Sequence, residues 1–528
     1  MHVATVDPPP PRLADPAADA NATEEYYEKL VSPDIVNGIS NVVDYLDARH
    51  GIRIKDLESM PQRTLDTIWW PFVQHGTVKG SEDVSIIDSA YGDFFSVARP
   101  RQNDTPTSSL VFPELDGSAS WWTQTLGHAN PTLTMAAARA SGRYGHVMFP
   151  QASHLPALRL AERLIQKGPG KGWASRAFFS DNGSTGMEVA IKMALRAFSL
   201  RNNVDEKEKK KLGILGLKGS YHGDTIGAMD ACEETVYTCE WHEAKGYWFE
   251  PPTVDFVNGK VVINVPASAS GKAHTSVAKS LSWVYDVEDR LHTPLARAYA
   301  QYVRRALDKI EATGQKIGAL IIEPLILGAG GMVFVDPLFQ RVLVDVVRGR
   351  RSGKSKEWSG MPVIFDEVFV GLNRIGIESA GPILGVNPDI SVNAKVLTGG
   401  LIPLSVTLAS KSIFNAFLSD KKSEALLHGH SYTAHPIGCE VANETLKQID
   451  KLAQSEDWME AKRKWTVAQG QEGEEQSKVW SLWDPHFVSE VSKLPQVKRS
   501  MSLGTVLAIE FEDSAAGKLS PVRVFALD

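Results

Sequence analysis

Only three cysteines, Cys232, Cys239 and Cys439, occur in 528 residues, and no two stand at CxxC spacing. That scarcity excludes a disulfide framework and a thiolate zinc site, so no metal is expected. No uninterrupted apolar stretch approaches the ~20 residues of a membrane span, and no membrane partner is expected either. Positive charge is in deficit: 56 Lys plus Arg stand against 63 Asp plus Glu, a formal charge of −7. Such a balance argues against binding a phosphate backbone, and hence against a nucleic-acid partner. The N-terminus lacks the apolar core of a signal peptide and the Arg-rich, acid-poor bias of a transit peptide. The C-terminal Phe525-Ala526-Leu527-Asp528 is neither a peroxisomal nor a retention tripeptide. A cytoplasmic protein is the default expectation, with a mitochondrial one left open. No internal repeat is present.

Hydrophobic residues at 43% and charged residues at 23% are instead the balance of a globular protein long enough to bury a sizeable core. Residues 1–22 are rich in Pro and Ala and are expected to be a disordered tail. Residues 23–83 read as an N-terminal segment, with helical apolar spacing from Glu24 to Glu58 (Tyr27, Leu30, Ile35, Ile39, Val42, Val43, Leu46), then the aromatic run Ile68-Trp69-Trp70-Pro71-Phe72. From about residue 84 short apolar runs alternate with helical patterns, which predicts an α/β fold with a largely parallel sheet. Predicted strands are Ala177–Phe179, Gly213–Leu217, Ala319–Ile322, Pro362–Phe365 and Pro403–Ala409. Between Lys245 and Thr275 the pattern dissolves into Pro, Gly, Ser and polar residues, which predicts a long surface excursion.

Three elements carry chemistry. The run Ala177 to Ala194 reads strand, polar turn, amphipathic helix. Its turn points backbone N–H groups and the helix dipole at one spot, with Gly183 allowing close approach and Ser184 adding a hydroxyl. A phosphate would fit there, and an ordinary N-cap turn would look the same. A second strand ends in Asp366-Glu367; a carboxylate there can hold a protonated pyridine nitrogen, ligate a metal or cap a helix. The third is Lys395, in the small-residue setting Asn393-Ala394-Lys395 … Thr398-Gly399-Gly400, where a lysine can lose its proton and form a Schiff base. The basic string Gly349 to Ser355 is one residue short of a phosphate-loop spacing and reads as a surface loop.

These elements, in this order, resemble a fold-type I pyridoxal phosphate enzyme of the class III aminotransferase family. The similarity runs from about residue 66 to 450. It includes Leu126-Gly127-His128-Ala129-Asn130-Pro131, Tyr221-His222-Gly223, Ile322-Glu323-Pro324 with Gly330-Gly331-Met332, and Asp366-Glu367-Val368. The resemblance implies an α/β large domain over 84–410 and a smaller α+β C-terminal domain over 411–528. That smaller domain is expected to be incomplete, because relatives carry a further segment with a carboxylate-binding arginine after about residue 510, a role not transferred to Arg523. It also implies pyridoxal 5′-phosphate as cofactor, with Gly183 and Ser184 on its phosphate, Tyr221 stacked on its ring, Asp366 on its pyridine nitrogen and Lys395 as attachment point and proton carrier. His430 and Ser431 would reach the phosphate of another subunit's cofactor, which implies a homodimer with shared active sites.

Within the family, Ile68–Phe72, Asp116-Gly117-Ser118-Ala119-Ser120-Trp121-Trp122 and His428-Gly429-His430-Ser431-Tyr432 resemble the members that aminate 8-amino-7-oxononanoate in biotin synthesis. S-adenosylmethionine would be the amino donor and 7,8-diaminononanoate the product. Trp121 and Trp122 would wall the substrate's aliphatic chain, unless they are simply core aromatics. Gly429 and Arg374 would lie near the substrate. Phe72 stands where bacterial relatives have a tyrosine, as in the eukaryotic bifunctional members, whose preceding dethiobiotin synthetase domain has no counterpart before Trp69. Two other outcomes stay open: an aminotransferase for another ω-amino acid, and a truncated subunit without turnover.

Overall fold

A computed structural model describes residues 38–98, 110–349, 360–470, 477–512 and 522–526. The expected tail at 1–22 lies outside them, as does the basic loop except for Gly349. Two compact units are distinguished.

The first unit comprises the helix Gly38–Thr67 and most of a three-stranded sheet of β1 (Ile86–Tyr91), β2 (Phe94–Ala98) and β3 (Val111–Leu115). The helix runs past Glu58, where helical spacing was expected to end, and carries Pro61 within it. Proline there costs one backbone bond without stopping the chain from continuing. Arg53 on the helix donates from Nε to Asp88 on β1 at 2.9 Å. In the aromatic run, Trp70 stacks on His75 at 5.7 Å, and Trp69 is 89% exposed.

The second unit is built on a seven-stranded sheet in the order β4-β15-β14-β13-β10-β5-β6. Its strands are β4 (Ala174–Ser180), β5 (Gly213–Leu217), β6 (Gly246–Phe249), β10 (Ile317–Ile322), β13 (Val363–Asp366), β14 (Ile390–Asn393) and β15 (Ser405–Ser410). Every neighbouring pair is parallel except those made by β15, which runs antiparallel to both β14 and β4. The unbroken apolar runs follow from cover on both faces. On β10, Leu320 and Ile322 join one core with the helices Pro294–Ala312 and Pro337–Val347, while Ala319 and Ile321 join another with the helix Gly183–Arg201. β13 alternates likewise, Val363 and Phe365 to one side and Ile364 to the other.

The predicted excursion at Lys245–Thr275 is not one. It forms β6 at the edge of the main sheet, then β7 (Thr253–Val257), β8 (Lys260–Val265) and, overlapping its end, β9 (His274–Val277). Val254, Ile263 and Val265 are buried. The signal was there: Asn258 and Gly259, at φ 49° and 73°, make the two-residue turn that the twist of a hairpin favours. These strands join β16 (Val497–Leu503), β17 (Val506–Phe511) and β18 (Val522–Ala526) in an antiparallel sheet ordered β18-β17-β16-β7-β8-β9. Residues from both sides of position 410 therefore share one sheet.

Candidate active site

Five strands of one direction end at one place, and each delivers a polar residue at or just beyond its C-terminus, the usual ligand edge of such a sheet. β4 leads into Asp181, Asn182 and the helix Gly183–Arg201, β5 into the turn Tyr221-His222-Gly223, and β10 into Glu323. β13 ends at Asp366, and β14 is followed by Lys395. Gly183, Ser184, Tyr221, His222, Glu323, Asp366 and Lys395 all line one cavity of about 620 Å³.

The helix start is fixed by a capping box: Asn182 accepts from the Thr185 N–H, and the Thr185 hydroxyl lies 3.3 Å from the Asn182 N–H. Those bonds occupy neither the Gly183 nor the Ser184 N–H, the first-turn donors that suit an anion. The Ser184 hydroxyl meets Thr225, with Oγ–Oγ1 at 2.9 Å. Gly223 has φ 122°, and a Cβ there would fall 2.2 Å from Ser184 Oγ. Only glycine lets the turn press this closely on the helix start.

Asp366 is buried. Its Oδ2 lies 2.8 Å from His222 Nδ1, and its Oδ1 accepts the Val368 N–H at 3.1 Å. His222 Nε2 is buried with no hydrogen-bond partner among the described residues. Glu323 accepts the Tyr221 and Gly328 N–H groups, each at 2.9 Å. Burial, and next the nearby Asp366 charge, push its carboxyl up to about 7. The folded chain thus holds a proton on Glu323 that the unfolded chain releases near 4.5, and the stability this lends is lost as pH rises from 4.5 through 7. In urea titrations the parent should lose ground to Glu323→Gln across that window; a constant difference between the two would refute the raised value.

Lys395 sits at φ 48°, a left-handed conformation rare outside glycine, at the start of the 3₁₀ turn Lys395–Thr398. Burial holds its ammonium well below the usual lysine range; Asp366 opposes that shift and Arg374 adds to it. Its Nζ lies 5.6 Å from the centre of the Trp122 ring and 5.8 Å from that of Phe369. Trp122 packs edge-on against Phe369.

The remaining predicted residues divide. Arg374 is buried and donates to the Trp122 carbonyl at 2.5 Å, and it lines a second cavity of about 210 Å³ with Thr505 and Trp458. Trp121 is 58% exposed. Trp121, Trp122, Gly429, His430 and Ser431 are not among the residues lining the Lys395 cavity, although the Trp122 ring stands near Lys395. Sequence reasoning missed His222 as the partner of Asp366, Glu323 as a buried acid and Phe369 as a wall. For the first two the only signal was their place in motifs already noted.

A nucleophilic lysine, a carboxylate acceptor, an aromatic ring and an anion-ready helix start, gathered at the strand ends of a sheet with one reversed strand, define a fold-type I pyridoxal phosphate enzyme. The donor set fits that cofactor: an anionic acceptor for a pyridinium, free amides for a phosphate and a depressed amine for an aldehyde. Residues 114–479 match the family Aminotransferase class-III, and the chain belongs to it. It is 45% identical, over 96% of its length and 66% of the relative's, to the bifunctional dethiobiotin synthetase/adenosylmethionine-8-amino-7-oxononanoate aminotransferase of Emericella nidulans. Identity to the bifunctional dethiobiotin synthetase/7,8-diamino-pelargonic acid aminotransferase, mitochondrial, of Oryza sativa is 40% over 92% of this chain and 58% of that one. This chain therefore spans about three fifths to two thirds of these relatives. The adenosylmethionine-8-amino-7-oxononanoate aminotransferase of Synechococcus elongatus is 31% identical over 86% of this chain and 87% of its own. The solved structure of the enzyme of that name from Methanocaldococcus jannaschii shares the fold, with a TM-score of 0.60 at 20% identity over 87% of this chain and 86% of that one. No helix among the described residues is long and apolar enough to cross a membrane.

Proposed function

We propose that the chain transfers an amino group to 8-amino-7-oxononanoate, giving 7,8-diaminononanoate, with S-adenosylmethionine as donor. The observation that carries this reading is the 31% identity to the Synechococcus elongatus aminotransferase over most of both chains. The setting of Lys395 agrees with it: Trp122 and Phe369 offer apolar surface beside the amine, suited to an aliphatic substrate that binds largely by burying methylenes.

Bound pyridoxal phosphate would supply an electron sink and a carbonyl carbon for amine exchange. Gly183 and Ser184 would hold its phosphate at the helix start, Tyr221 would offer a ring to its face, and Asp366, with His222 beside it, would keep its ring nitrogen protonated. Lys395 would anchor it, and the free Nζ would be the group placed to take a proton from the substrate carbon and give that proton back to the product. A lowered pKa suits that task, since it makes the free, proton-accepting amine easier to reach. His430 and Ser431, which do not line this cavity, would reach the phosphate of a second copy's cofactor, with Gly429 near the substrate, and the working form would be a homodimer.

The test is an assay of purified protein with 8-amino-7-oxononanoate and a panel of donors, with product read by mass spectrometry and the mass of the protein measured in solution. Diamine formed fastest with S-adenosylmethionine by a dimer is the expected result. Amination only of other keto acids would overturn the substrate, and full turnover by a monomer would overturn the shared site.

A further inference from the structure

Four consecutive residues, Ala119 to Trp122, have φ between 46° and 61°, and none is glycine. They form one left-handed helical turn, closed by Trp122 N–H to Ser118 O at 2.8 Å and Thr123 N–H to Ala119 O at 2.8 Å. L-residues avoid such a run, because each Cβ crowds the following carbonyl oxygen. Strain of this kind persists only where the surroundings over-determine it.

What over-determines it is the Asp116 carboxylate. Its Oδ2 accepts the Ser120 N–H at 2.7 Å and the Ser120 hydroxyl at 2.9 Å, and its Oδ1 accepts the Ser118 N–H at 3.3 Å and the Ser118 hydroxyl at 3.0 Å. His128 Nε2 stands 2.9 Å from Oδ2. The backbone of His128 is itself fixed by a reciprocal pair of bonds to Gly92, at 2.8 and 3.1 Å. Asp116 is buried, and although burial alone raises a carboxyl, bonds from His128, Ser120 and Ser118 hold this one below its ordinary value. At the far end of the turn Trp122 faces Lys395.

We propose that Asp116, backed by His128, is a positioning residue: it holds Ala119–Trp122 in the left-handed turn that sets the Trp122 ring over Lys395 and so builds the apolar wall met by the keto substrate. The last clause rests on the substrate reading above; the first does not.

The test uses the full chain and three variants: Asp116→Ala, Asp116→Asn and Asp116→Ala with Ser120→Gly. Amide exchange over 118–124 should rise at least ~10-fold in Asp116→Ala while β5 keeps its protection. With the cofactor removed, labelling of Lys395 by an amine reagent should quicken several-fold as Trp122 swings away. In the loaded enzyme, KM for 8-amino-7-oxononanoate should rise ~10-fold or more with kcat within ~3-fold, the pattern of lost substrate binding. Ser120→Gly removes a Cβ from a positive-φ position and should recover a good part of both the labelling and KM changes, which it would not do if Asp116 served only as core packing. Asp116→Asn keeps an acceptor and should fall between parent and Asp116→Ala, covering the case in which the alanine variant folds poorly. Unchanged exchange and labelling, or no recovery with glycine, would overturn the positioning role. Changed labelling in a chain that does not use 8-amino-7-oxononanoate would uphold that role and discard only the substrate.

Discussion

Lys395→Arg is expected to lower turnover by roughly 10²–10⁴-fold, about what a positioned acid–base group contributes. Arginine keeps the positive charge and much of the length, but a guanidinium stays protonated under any usable condition and neither condenses with an aldehyde nor accepts a proton. The effect should be confined to chemistry. Lys395 is half-buried, and desolvation already disfavours its ammonium there, so a companion Lys395→Met should unfold at no lower urea concentration than the parent. Single-turnover kinetics with added cofactor would measure the loss. A variant within ~10-fold of the parent rate would remove Lys395 from the role of proton carrier.

The next largest effect is expected from Asp366→Asn, a fall of about 10–150-fold in kcat/KM, which is the worth of a hydrogen bond to a charged group, about 1.5–3 kcal/mol. The amide fills the same space and still accepts a bond from His222, so the fold should hold. What is lost is the negative charge that makes a protonated ring nitrogen favourable. The bound cofactor's absorbance should shift with that protonation state, and the two readouts together separate charge from shape. Unaltered kinetics with an altered spectrum would mean that the charge tunes the cofactor without limiting the rate.

The strand that ends at Asp366 was legible because it is covered on both faces, whereas β14, which leads to Lys395, was not predicted, since Ser391 and Asn393 break its apolar run although all four of its residues are buried. Ala319 to Ile322 and Pro362 to Phe365 read as unbroken apolar runs, and Lys395 stood out by its small neighbours. The hairpin at residues 253–265 was missed because its outer positions, such as Lys260 and Thr253, mix polar residues into a strand pattern; its Asn-Gly turn was a better guide than its hydrophobicity. Tyr221 was marked and His222 was not, although they adjoin. The importance of His222 comes from β13, which brings Asp366 to within 2.8 Å of it across 144 residues of sequence. Spacing in sequence carries no record of such a meeting. The left-handed turn before Trp122 was hidden for a related reason: Asp116-Gly117-Ser118 suggests a turn, but not its hand, which follows from where the carboxylate finds its partners.

The six-stranded sheet makes an assembly problem during synthesis. β16 pairs with β7 through Ser500 and Phe256, about 240 residues apart, so at a ribosomal rate of roughly 5–20 residues per second the β7–β8 hairpin waits some 10–50 s for its partner strand. Throughout that interval the apolar edge of β7 has no neighbour within its own sheet, and such an edge is a template for pairing with the same segment of another nascent chain. Chaperone demand in the cell should therefore depend on translation speed between these two segments, and slowing elongation there should lower the soluble yield even though the finished fold is unchanged.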